Sequence, residues 1–156
     1  MRARNIFCGI TAAAIFLLTG SIGSQAQQKS AKELIAGNWT LVIADNVSRE
    51  GNNVPGFGPL PKGTARFGAD GHYSFEVSTS SGSQPAVNSS GTYTLDDAGK
   101  TLTLKVEESS LANWRGTTQT GNVKFISGDH LGWTNSVPLG PSADFSGTDL
   151  IWARAR

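Results

Sequence analysis

Cysteine is nearly absent from this chain: its 156 residues include one, Cys8, and a single methionine. Disulfides therefore cannot staple the fold, and a cysteine-rich metal centre is excluded. Charge is scarce as well. Charged residues make up 16% of the chain and the formal net charge is +1, so no clustered cationic face is available for phosphates, and nucleic acid is not expected as a partner. There are two histidines, His72 and His130, each beside a turn and an acidic neighbour, Asp70 or Asp129. Turn chemistry accounts for both positions. No glycine-rich phosphate cradle precedes a helix, and no Gly-x-Ser-x-Gly elbow occurs. The expectation is no catalytic residue, no metal and no organic cofactor. What the chain has instead is 19 glycines, six prolines and much serine and threonine, a composition that breaks helices and punctuates short strands. It points to one all-β domain.

The first residues carry an export pattern. Arg2 and Arg4 give a positive start, residues 6–18 form an apolar run, and Ser24, Gln25 and Ala26 supply small residues at cleavage spacing. The run is about 13 residues, short of the roughly 20 that a bilayer-spanning helix needs, so a cleaved signal peptide over 1–26 is expected and no membrane span after cleavage. Cys8 leaves with it. The mature 27–156 domain is expected in the periplasm or the extracellular medium, as a monomer.

Past the leader, Ser30 and Glu33 form a capping box, predicting a short helix over 32–36 that Gly37 ends as a left-handed cap. The period then changes to two. Trp39, Leu41 and Ile43 alternate with their neighbours in a first strand, and residues 46–62 hold too many glycines and prolines for regular structure. Strands follow at 64–67 and 72–78 around an Asp70-Gly71 hairpin, then at 91–95 after a polar loop over 79–89, and at 101–108. In the last of these Leu102, Leu104 and Val106 alternate with polar residues, and three more strands are predicted over 116–126, 131–137 and 150–154. Eight antiparallel strands joined mostly by hairpins suit a closed up-and-down barrel, which removes the exposed edges that template aggregation.

Alternation nominates the residues that closure turns inward: Leu41, Ile43, Phe67, Tyr73, Phe75, Leu102, Leu104, Phe125 and Trp133. The register of the 116–126 strand stays open, with Thr118 and Thr120 on one face and Arg115, Thr117 and Gln119 on the other. At least one choice places polar or small side chains inside, so Tyr73, Thr118 and Gln119 are candidate orienting groups in a lumen that is either hollow or filled by its own side chains. The 54–63 loop, with Phe57 and Leu60, is a candidate gate or partner grip.

Gly37-Asn38-Trp39 after a short helix resembles the Gly-x-Trp signature of lipocalin and wider calycin barrels. Together with Phe67-Gly68-Ala69-Asp70-Gly71-His72-Tyr73, Gly91-Thr92-Tyr93-Thr94, Asn113-Trp114-Arg115-Gly116 and Trp152-Ala153-Arg154, it makes residues 33–156 similar to the bacterial lipocalin-like domain family. Where such domains often carry a longer charged insertion before the Gly-x-Tyr strand, only residues 80–90 stand here. The resemblance implies a lipocalin-like barrel whose Gly-x-Trp indole, Trp39, packs beneath a basic residue of the last strand, Arg154, to close the base. It also implies a function, holding a small, mostly apolar ligand in the interior, for which the residues read from strand alternation are the candidates: Leu41, Phe67, Tyr73, Phe75, Leu102, Leu104, Thr118, Gln119, Phe125 and Trp133. The alternatives are a protein-interaction or inhibitor module working through its loops, and an enzyme acting on a small hydrophobic substrate.

Overall fold

In the computed structural model, residues 29–81, 85–139 and 144–156 are described; the expected leader, with Cys8, lies outside them. Helix α1 (Ala31–Ile35) opens where the capping box places it: the Glu33 carboxylate accepts the Ser30 N–H at 2.7 Å, and the Ser30 hydroxyl accepts the Glu33 N–H at 3.3 Å. The helix ends one residue earlier than expected. Ala36 is already extended and Gly37 is the first residue of the next strand rather than a helix cap.

Among the described residues nine antiparallel strands follow: β1 (Gly37–Ser48), β2 (Asn53–Pro55), β3 (Lys62–Phe67), β4 (His72–Ser78), β5 (Val87–Leu95), β6 (Thr101–Ser109), β7 (Thr118–Ser127), β8 (His130–Asn135) and β9 (Phe145–Arg154). Eight of them, β1 and β3 to β9, pair each with the next, and β9 pairs back onto β1 to close the barrel. The short β2 lies outside this ring, hydrogen-bonded to the far end of β1. Hairpin turns at 68–71, 96–100 and 128–129, together with α1, form the base. The described residues at 49–61, 79–81, 85–86, 110–117 and 136–139 lie at the mouth.

The strand alternation of the sequence is kept almost throughout, and its exceptions have local causes. Inward residues of β4 are Tyr73, Phe75 and Val77, and those of β6 are Leu102, Leu104 and Val106. In β1 the pairing with β9 shifts between Leu41 and Ile43, a bulge that adds one residue and reverses the parity beyond it. Ile43, expected inside, is therefore exposed, and Ala44 and Asn46 face in. The expected loops at 46–62, 79–89 and 138–148 are shorter than their composition suggests, because β1 runs on to Ser48, β5 starts at Val87 and β9 starts at Phe145. Ladder bonds to a neighbouring strand outweigh weak local propensity there. Strand β7 starts later than predicted, at Thr118, because a turn occupies 111–116; β8 begins at His130 and ends at Asn135.

Gly91 marks the tightest contact between strands. A side-chain carbon built there would collide with the Lys105 carbonyl oxygen and lie 2.9 Å from the Glu107 nitrogen, at the register shift between β5 and β6. Only glycine allows that approach.

Candidate functional site

The base is closed by a junction of helix and last strand. The Arg154 guanidinium stands 4.3 Å from the centre of the Trp39 ring. Its nitrogens donate to the carbonyls of Leu34 (2.6 Å) and Ala36 (3.1 Å), and the Trp39 indole donates to the Ile35 carbonyl at 2.8 Å. Three consecutive carbonyls that the end of a helix leaves without partners are thus taken by barrel side chains. Gly37 makes room for this, since a side-chain carbon there would sit 2.7 Å from the Arg154 guanidinium.

Above this plug, aromatic rings run toward the mouth. Tyr93 meets Phe67 edge-on at 5.2 Å, Phe67 stacks near Tyr73 at 6.5 Å, and Tyr73 stacks near Phe75 at 6.1 Å. Phe75 then touches two indoles edge-on, Trp133 at 5.8 Å and Trp114 at 6.3 Å. The Tyr73 hydroxyl lies 2.9 Å from the Ser89 hydroxyl, and burial raises the Tyr73 phenol above its ordinary range, so it stays a neutral group.

Polar residues interrupt this lining in its upper half. Asn46 of β1 lies opposite Thr148 of β9, Thr148 opposite Asn135 of β8, and Asn135 opposite Gly121 of β7. Gln119, next inward on β7, accepts the Asn135 amide at 2.9 Å. All four polar side chains are at most 7% exposed. Thr148 is fully engaged, donating to the Val137 carbonyl and accepting from the Leu139 N–H, which ties the 136–139 segment down over the mouth.

Three buried polar atoms among the described residues have no partner: the indole nitrogens of Trp114 and Trp133, and the amide oxygen of Asn46. Each such group costs about 1–3 kcal/mol. Gly121 bounds the Trp133 site, because a side-chain carbon there would collide with the indole nitrogen. Trp114 reaches the lumen from the β6–β7 turn, held by Trp114 N–H to the Leu111 carbonyl (3.0 Å) and Thr117 hydroxyl to the Trp114 carbonyl (2.6 Å). Phe57 and Leu139 join it, so three mouth segments each bury one large apolar side chain.

Of the residues nominated from sequence, Leu41, Phe67, Tyr73, Phe75, Leu102, Leu104, Gln119 and Trp133 lie buried inside the barrel. Thr118 does not: β7 takes the register with Gln119, Gly121 and Val123 inside, leaving Thr118 exposed. Phe125 is only half-buried, at the base beside α1, and bounds a surface cleft with Leu34 rather than the lumen. Both imidazoles face solvent at base turns. His72 Nδ1 is 3.2 Å from the Asp70 carboxylate, and His130 Nδ1 is 3.2 Å from the Ser127 hydroxyl. In the 54–63 loop Phe57 turns into the mouth, while Leu60 is 72% exposed. A depression of about 560 Å³ lies on the outer wall, lined in part by Thr40, Thr64, Arg66, Glu76 and Asn88, and is open to solvent.

Sequence reasoning missed Asn46, Asn135, Thr148 and Trp114. The first three are polar residues at inward positions, where alternation alone reads polar as outward; only a fixed register for β1, β8 and β9 would have found them. Trp114 lies in a turn with no periodicity, so the sequence offers it only within the Asn113-Trp114-Arg115-Gly116 stretch of the resemblance, with no place in the lining.

No family model and no curated protein matches the chain. Among solved structures it is similar to a redesigned β-barrel, with a TM-score of 0.49 and 12% identity over 81% of this chain and 96% of that one. It is also similar to a de novo designed fluorescence-activating β-barrel, with a TM-score of 0.47 and 16% identity over 82% of this chain and 100% of that one. The described residues fold as a closed eight-stranded antiparallel barrel with, among them, one short helix at its base.

Proposed function

We propose that this protein is an exported, lipocalin-like barrel that binds a small, mostly apolar molecule inside its mouth half. One observation carries the reading: an aromatic lining in which two indole N–H groups and one amide oxygen are buried without partners. A barrel selected for stability alone would fill those positions with apolar side chains, because unpaired polar groups cost free energy and apolar ones do not. Apolar surface removed from water supplies affinity, at about 25 cal/mol per Å² before ordering costs, and the polar groups orient the guest. Entry would pass the mouth segments, which bury Phe57, Trp114 and Leu139. The reading assigns no reaction, metal or cofactor. Export rests on the pattern of the first 26 residues and on nothing else.

Native mass spectrometry of protein purified from its own host tests both parts. The expected result is a mature chain beginning at Gln27 with a reproducible added mass that organic solvent removes. A chain with no adduct, whose tryptophan emission does not respond to apolar probes, overturns the binding reading. Function would then pass to the loops, where Leu60 and Val54 are exposed apolar side chains that favour a protein partner.

A further inference from the structure

We propose that a second copy of this chain docks on the outer wall formed by β7, β8, β9 and β1, making a two-fold dimer in place of the monomer expected from sequence. The proposal concerns the outside of the barrel and is independent of what the lumen holds.

The first reason is apolar surface on a wall that faces water. The outward row across these four strands runs Lys124, Gly132, Ile151, Ile43, each paired with the next. Pairing slips by one residue at both sides of the wall, between Leu41 and Ile43 in β1 and between Phe125 and Ser127 in β7, and the extra residues are Val42 and Ile126. Val42, Ile43 and Ile126 are three of the five large apolar side chains exposed among the described residues. Outward rows elsewhere are polar: Thr40, Thr64, Glu76 and Asn88 on one wall, and Thr94, Thr103 and Thr120 on another. Bulges re-aim side chains, and both bulges here add an aliphatic one to the same outer face.

The second reason is a glycine that the chain itself does not need. Gly132 lies mid-strand with no positive φ, and a side-chain carbon there would lie 3.6 Å from the Ile126 Cδ1 and 3.7 Å from the Lys124 carbonyl oxygen, both ordinary contacts. A glycine inside a strand weakens it and marks a place where something approaches closely. The missing side chain leaves a depression of about 330 Å³ bordered by Lys124, Ile126, Thr134, Asp149 and Ile151.

The third reason is charge. In the next row toward the mouth Asp149 of β9 stands directly opposite Asp45 of β1, an arrangement of like charges that destabilises a strand pair. Asp149 accepts from the Thr134 hydroxyl and the Asn53 amide, both neutral, and among the described residues Asp45, Asp149 and Lys124 form no ion pair.

A two-fold axis running along β9 through Ile151 answers all three. It lays Ile151 against its own copy, seats the second copy's Ile43 over the Gly132 depression beside Ile126, and carries Lys124 across to the second copy's Asp45. Each contact occurs twice, so the patch is its own complement, and an unrelated partner would have to bring both the apolar knob and the cation. The strands of the two walls then lie close to aligned, as in face-to-face sheet packing.

Sedimentation velocity of the purified protein over about 5 to 500 μM reads the mass, with thermal melts as the check on folding. The expected result is a reversible passage from one copy to two. Ile126→Lys, at an exposed position, puts a cation into the apolar contact and should weaken the dimer about tenfold or more with the melt unchanged. Gly132→Val should weaken it similarly while leaving Tm the same or higher, because valine suits a strand better than glycine. Lys124→Asp should also weaken it, and adding Asp45→Lys to that variant should restore most of the loss. The mass of a single copy at every concentration overturns the proposal. So does a dimer that keeps its affinity in Ile126→Lys and Gly132→Val, since another face would then hold it, and so does a double variant no tighter than Lys124→Asp alone.

Discussion

Replacing Arg154 by Met should unlock the base of the barrel. Met keeps most of the aliphatic stem, so the variant removes the charge and the forked donors while preserving much of the packing. Three interactions go. The contact with Trp39, at 4.3 Å, contributes about 0.5–2 kcal/mol, and each of the two bonds to the Leu34 and Ala36 carbonyls about 1 kcal/mol, since Arg154 is only half-buried and water can partly replace it. The total is about 3 kcal/mol, which for a domain of this size lowers Tm by roughly 10 °C.

Arg154→Lys separates charge from geometry. It retains a cation above Trp39 but not the planar fork that spans two carbonyls, so it should lose about half as much. Denaturant unfolding followed by far-ultraviolet circular dichroism gives these differences. A double-mutant cycle with Trp39→Phe should return a coupling of about 1 kcal/mol. Hydrogen exchange adds a local check, because the α1 amides should lose protection more than those of β4 and β6. If Arg154→Met lies within about 0.5 kcal/mol of the parent, or if the cycle is additive, the helix is not held by this residue and the account of the base is wrong.

Gly91→Ala should cost about 3 kcal/mol, because the added carbon meets the Lys105 carbonyl across a strand pair that cannot part; Gly128→Ala, with nothing within 4 Å, is the control and should be near neutral in thermal melts. Gln119→Leu should cost about 1–3 kcal/mol by stranding the Asn135 amide, and the double variant with Asn135→Leu should cost less than the sum of the two singles in urea titrations. Acid should destabilise the fold. Hydrogen bonds from the Ser30, His72, Thr101 and Lys100 N–H groups hold Glu33, Asp70 and Asp96 below their usual carboxylate range, so the unfolded chain binds more protons and stability falls as pH drops through the folded-state values. Stability measured from about pH 6 down to pH 3 should show that slope, and Asp96→Asn should flatten it; an unchanged slope would remove Asp96 from the account.

The parts of the fold legible in the sequence are those where one local rule acts alone. The capping box of Ser30 and Glu33 is self-contained, and so is the Asp70-Gly71 turn, where Gly71 takes a φ of +90°. The period of two in β4 and β6 survives because neither strand bends before its last residues. Other features depend on a partner strand. The bulge after Leu41 is set by pairing with Ile151, more than a hundred residues away, and it alone decides that Ile43 faces out and Asn46 faces in. Strand β2 is three residues long, contains Pro55, and exists because the edge of β1 is open beside it. For the same reason Thr118 and Gln119 could not be separated by inspection: two polar residues side by side carry no signal of which one the barrel encloses.

The placement of polarity within the lumen bears on what the barrel is for. The base half holds Trp39, Phe67, Leu102, Leu131 and Trp152, each at most 3% exposed, beneath a closed helix junction. The half beneath the mouth carries Asn46, Gln119, Asn135 and Thr148 on four neighbouring strands. Thr148 and Asn135 tie down the 136–139 segment, and Gln119 pairs with Asn135, but leucine or valine at Asn46 would leave no unpaired oxygen, so core stability does not explain that residue. Nor does barrel register, which alternation and the bulges already set. Where a sequence breaks the packing rule at one end of a core and keeps it at the other, the exception marks the end under a different demand. Here that end lies under the mouth, where the proposed function places the guest.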